Sequence, residues 1–134
     1  MYYYSAAGTR HAFSNAKVYF SWYENFDDVM IVNEATMASF AIGRNITYRP
    51  GIKMVKFQTL ATVYVVERGG VLRPVNSEAT AAALYGHNWN QQIDDISDAF
   101  FTNYSFGDPV SGLSDYNPAA AAFLTPTISV DLAG

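Results

Sequence analysis

Residues 62 positions apart in this chain match by class over much of its length, and this internal repeat limits the fold more than any other feature. Tyr2-Tyr3-Tyr4-Ser5-Ala6-Ala7-Gly8 lines up with Tyr64-Val65-Val66-Glu67-Arg68-Gly69-Gly70. The same offset pairs Phe13 with Val75, Trp22 with Leu84 and Tyr23 with Tyr85. Two single-residue insertions then pair Phe26 with Trp89 and Val32 with Ile96. At an offset of 64, Asn33-Glu34-Ala35 matches Ser97-Asp98-Ala99, and Phe40-Ala41-Ile42-Gly43 matches Tyr104-Ser105-Phe106-Gly107. The expectation is an α+β domain spanning residues 1–134, made of two pseudo-repeated β-hairpin/helix/helix units with short antiparallel sheets. Unit one would cover about 2–47 and unit two about 53–110, with a tail, including a strand, over 111–134.

Each copy reads as the same series of elements. A β-rich run (Tyr2–Ser5; Val63–Glu67) meets a glycine turn and a second strand (Arg10–Phe13; Val71–Val75), a hairpin signal because such turns need positive φ. Ser14-Asn15 and Asn76-Ser77 offer capping side chains to helices over about Ala16–Glu24 and Glu78–Tyr85. Pairs at i,i+4, such as Val18/Trp22 and Ala81/Tyr85, put one face of each helix on the core. A second helix is expected after the caps Asn33 and Ser97, stopping before Gly43 and Gly107. Between the copies, Arg49-Pro50-Gly51-Ile52 has the residue order of a type II turn, flanked by strands over Ile46–Tyr48 and Lys53–Gln58. Lys53–Gln58 and the second hairpin form a three-stranded meander. Thr127–Leu132 regains strand character and is expected to cover the open edge of the first hairpin, in its own chain or a neighbour's.

Composition excludes several function classes. The 134 residues are half hydrophobic and 15% charged, enough apolar area for one core and the opposite of a disordered chain. The net charge is −4 with no Lys/Arg run, so the basic footprint of a nucleic-acid binder is missing. No apolar stretch is long enough to cross a bilayer, so no membrane insertion is expected. Met1 runs straight into three tyrosines with no signal peptide, so an exported protein would carry these residues as an internal piece. Without cysteine there is no disulfide, thiolate metal site or cysteine nucleophile.

The strings TYRPGIKMVK, VYVVERGGVLRPV and ALYGHNWNQQIDDISDAFFTNYSFG resemble a family of repeat-bearing predicted cell-surface proteins of uncultured small-genome bacteria. The resemblance covers about residues 2–110. It implies an extracellular or cell-surface setting and a module repeated in larger proteins, and it carries over no catalytic residue. After Gly107 the pattern departs: Asp108-Pro109-Val110 replaces Arg44-Asn45-Ile46, and no Arg-Pro-Gly follows. The second copy is therefore expected to be the last of its series, unless the sequence is a piece cut off at that point.

Few residues point to chemistry. His11 and His87 are the only histidines, and no nucleophile elbow accompanies them, so no catalytic site and no cofactor are expected. Asp94, Asp95 and Asp98 are oxygen donors without the alternating spacing of a calcium loop, and a solvated turn is the better reading. Ten Tyr, nine Phe and two Trp are the unusual feature, and most of these rings should fill the core. Tyr3, Phe20 and Tyr48 are the exposed aromatics expected to bind a partner. The expected function is a non-catalytic structural or interaction module, self-association among its modes. The alternative is a glycan- or peptidoglycan-binding module using those rings.

Overall fold

Two β-hairpins organise the chain. The computed structural model describes residues 1–134, which separate into two units, Met1–Tyr48 and Arg49–Gly134. Both helices and strands are present in short mixed sheets, an α+β fold as expected.

In the first unit, β1 (Tyr2–Tyr4) pairs antiparallel with β2 (Thr9–Ala12), and Gly8 turns the chain at φ +85°. Asn15 caps α1 (Ala16–Trp22), its side-chain oxygen accepting from Val18 N at 3.0 Å. Val18 and Tyr19 form the buried face of α1, and the helix ends where Tyr23 turns extended. Asn33 caps α2 (Glu34–Ala38) in the same way, at 2.8 Å from Thr36 N. The chain then returns as β3 (Ala41–Ile42), parallel to β2, so the sheet order is β1-β2-β3. Gly43 thus follows a strand rather than stopping a helix.

The second unit carries five strands in the order β7-β4-β5-β6-β8. They are β4 (Met54–Phe57), β5 (Tyr64–Glu67), β6 (Val71–Pro74), β7 (Ile93–Ile96) and β8 (Ser105–Phe106). The β4–β5–β6 meander is antiparallel, whereas β7 joins β4 and β8 joins β6 in parallel. The sheets are therefore mixed rather than antiparallel. Gly69 and Gly70, both at positive φ, close the β5–β6 turn. Ser77 caps α3 (Glu78–Tyr85), the expected span. Met54, Val65, Ala81, Leu84, Val110 and Tyr116 make the core on one side of the sheet. Phe57, Tyr64, Phe101, Tyr104 and Phe106 make a cluster of ring contacts with centroids 5.0–6.4 Å apart.

Several local expectations change. The stretch after Ser97 is a 3-10 helix over Asp98–Asn103, tighter than the α-helix expected there. Asp94 and Asp95 lie on strand β7, not in a turn. Ile46–Tyr48 contributes only a bridge, from Ile46 to Phe13. The tail holds no strand: it forms α4 (Pro118–Leu124) and α5 (Ile128–Leu132). Thr127 caps α5, and the buried Asp131 accepts from Gly69 N at 2.8 Å, tying the helix to the β5–β6 turn. The expected cover for the edge of β1 is thus a helix engaged elsewhere.

A candidate binding trough along a free strand edge

A concavity in the first unit follows from how β1 is paired. Phe13 N donates to Met1 O and Ser5 N donates to Thr9 O, so the odd-numbered residues exchange hydrogen bonds with β2. The main-chain N–H and C=O of Tyr2 and Tyr4 therefore point the other way, to an edge with no partner strand. A trough of about 710 Å³ runs along that edge. Its floor is Met1 to Tyr4 with Phe13. Tyr19 from α1 and Tyr23 just past its end form one wall, and Thr36 and Met37 from α2 with Phe40 form another. Val29-Met30-Ile31-Val32 flanks it without regular structure.

The rings hold one another in place. Tyr19 is buried and meets Phe13 edge-on at 5.3 Å, and it stacks on Tyr23 and Phe26 at 5.0 Å. Its hydroxyl donates to Asn25 O at 2.6 Å, which fixes the loop after α1. Tyr4 stacks on Phe40 at 4.4 Å, and the Arg10 guanidinium lies 5.3 Å from the centre of the Tyr2 ring. Arg10 also donates to Met37 O at 2.8 Å, binding α2 to the sheet. Met30 and Ile31, in contrast, are 82% and 100% exposed. Side chains so accessible, beside an apolar trough, form an exposed hydrophobic patch.

Asp28 carries the one charged side chain lining the trough. Burial raises the Tyr19 hydroxyl above its ordinary value, and Asp28 and Asp27 add to that. Burial raises Tyr23 as well, followed by Tyr3, Tyr19 and Asp28. Both hydroxyls stay neutral, and the trough offers apolar contact, strand-edge hydrogen bonds and one acid.

The residues singled out from sequence distribute unevenly around it. Tyr3 lines the trough, half-buried beside His11 at 6.3 Å. Phe20 is 46% exposed and touches Phe26 at 5.1 Å, outside the lining. Tyr48 is 2% exposed, a correction to its reading as a surface ring, so no partner reaches it. Asp94 and Asp95 pair with Lys53 and Lys56 at 3.3 and 3.4 Å. The Asp98 carboxylate accepts from the Thr59 hydroxyl at 2.6 Å. The three acids are engaged by three different partners, and no group of three or more His, Cys or acidic side chains is placed to hold a metal. His11 is buried, with Nδ1 2.7 Å from Arg44 O and Nε2 2.8 Å from Thr9 Oγ1, a framework role. His87 is exposed.

Sequence reasoning passed over Tyr2, Tyr19, Met30 and Ile31. The signal was there in Val29-Met30-Ile31-Val32, four successive apolar residues between Asp28 and a helix cap. No helix is long and apolar enough to cross a membrane. Comparison with protein-family models, curated proteins and solved structures finds no match to this chain.

Proposed function

We propose that this protein is a non-catalytic interaction module, a structural or adhesive element of a cell-surface assembly, with the trough of the first unit as its contact face. The trough itself is the observation that carries the reading. It combines an unpaired strand edge, an aromatic floor and a fully exposed isoleucine, and it holds a single charged side chain. The cell-surface setting draws its support from the sequence resemblance.

A doubled module is part of the same proposal. Tyr2 stands opposite Ala12, and Tyr64 stands opposite Pro74. Thr9 pairs with Ala41, and Val71 pairs with Ser105. The bridge from Phe13 to Ile46 has its counterpart from Val75 to Val110. Each of these pairs of positions differs by the offsets of 62 and 64 read from the sequence.

Sedimentation of the full chain beside a glycan array tests the reading. Met30→Ser with Ile31→Ser removes apolar surface from exposed positions and is expected to leave the melting temperature unchanged. It should weaken uptake of an apolar fluorescent dye, or any self-association, by roughly a hundredfold or more, the scale of losing two buried side chains at a contact. Sugar binding by the monomer, untouched by the substitutions, would overturn the proposal in favour of a glycan module.

A further inference from the structure

We infer that the trough is a strand-acceptor site, which takes an extended segment of a partner polypeptide into the sheet beside Tyr2–Tyr4. The inference rests on the interaction reading above and gives it a partner chemistry. The second unit shows the filled form of the same arrangement. There β5 begins at Tyr64, whose edge is covered by β4 with Val55 directly opposite. On its far side β4 runs parallel to β7, with Met54 beside Ile93, Val55 beside Asp94, Lys56 beside Asp95 and Phe57 beside Ile96.

Translated by the sequence offsets, Tyr64 becomes Tyr2, and Ile93–Ile96 becomes Val29–Val32. In the first unit these two segments border one trough, and no strand lies beside β1 on that side. An added strand would run antiparallel to β1, bond to the outward main-chain groups of Tyr2 and Tyr4, and lie against Val29–Val32.

Charge defines the guest. In the second unit Asp94 and Asp95 meet Lys53 and Lys56. Their counterparts are Met30 and Ile31, so the guest residue facing Ile31 must be apolar where β4 has Lys56. Asp28 lines the trough and stands 64 positions before Gln92, whose carbonyl accepts from Met54 N where β4 begins, so a lysine or arginine just ahead of the guest's apolar run, as Lys53 precedes Met54, complements that acid. The partner is therefore a short extended peptide, apolar on both faces, with a basic residue at its N-terminal flank.

A probe follows from the chain's own strand: a synthetic peptide of residues 52–58 with valine in place of Lys56. Titrated into the full chain, it is expected to bind and to slow hydrogen exchange at the Tyr2 and Tyr4 amides. Ile31→Asp, at a fully exposed position, should weaken it about tenfold, and the unmodified peptide carrying Lys56 should recover affinity for that variant. Asp28→Asn should weaken both peptides. Binding without slower exchange at Tyr2 and Tyr4, or indifference to Ile31→Asp, overturns strand addition. If the chain instead self-associates through Met30 and Ile31 and ignores both peptides, the interaction reading stands and the strand-acceptor inference falls. Sugar binding that these substitutions leave unchanged overturns both.

Discussion

A methyl group at Gly43 would overlap the imidazole of His11. The ring cannot swing away, since both of its nitrogens are held, by Thr9 Oγ1 and Arg44 O. Gly43→Ala is therefore expected to destabilise the first unit by about 1–3 kcal/mol, the usual cost of overpacking. At Gly107 the same substitution meets only Val71 and the flexible Arg73 at 3.2 Å, and should cost less. Chemical denaturation of the two variants tests this; equal midpoints would contradict it.

Trp22 is half-buried, while Leu84, 62 positions further on in α3, is 8% exposed. The indole Nε1 donates to Thr47 O at 2.9 Å. Trp22→Phe keeps most of the ring and loses that bond, so the expected loss is about 1 kcal/mol. Trp22→Ala removes the ring too and should exceed it, read from the shift in denaturation midpoint at constant slope.

Alkaline pH should loosen the second unit. Burial pushes the Tyr85 hydroxyl up to about 12, the nearby Tyr116 hydroxyl partly opposing it, and the buried Tyr85 oxygen makes no hydrogen bond. Burial raises Tyr116 too, followed by Tyr85, and its hydroxyl donates to Val66 O at 2.7 Å. A tyrosine whose pKa is higher folded than unfolded contributes stability that is complete below the unfolded value of 10.0. That contribution disappears as pH rises through about 12. Tyrosinate absorbance should therefore show late-titrating hydroxyls, Tyr85 and Tyr116 among them, that ionise as the fold is lost. Tyr85→Phe should lose less of its own neutral-pH stability on the alkaline side. All tyrosines ionising near pH 10 in a still-folded chain would refute this.

Asp131→Ala removes the acceptor of the Gly69 amide. The expected cost is about 1–3 kcal/mol for a donor left without its partner. Exchange at the Gly69 amide should quicken in the same variant. An unchanged melting temperature with unchanged exchange would show that α5 does not hold the β5–β6 turn.

Local signals in the sequence were readable wherever a short-range bond decides the structure. Asn15, Asn33, Ser77 and Ser97 all cap the helices they precede. The hairpins fall at Gly8 and Gly69-Gly70. What escaped depended on distant partners. Ile93-Asp94-Asp95-Ile96 does not alternate as a strand should, and it becomes one because Lys53 and Lys56 of β4 meet its acids. Thr127–Leu132 has β-branched composition, yet a capping threonine and a buried Asp131 make it a helix. The trough was illegible for the same reason: Tyr2 and Ile31 are far apart in sequence and adjoin only through α1 and α2. Tyr48 carries no sign of its burial in the sequence around it.

The register of the second unit also implies an order of assembly. Glu67 opposite Val71 closes a loop of a few residues, whereas Met54 beside Ile93 and Val71 beside Ser105 close far longer ones. Chain entropy therefore favours the β5–β6 hairpin as the first long-lived structure, with β7 and β8 arriving late. During that interval β5, three of whose four residues end buried, is a sticky edge in need of β4. Slow arrival of β7 makes this chain sensitive to concentration during refolding, and dilution should raise its yield.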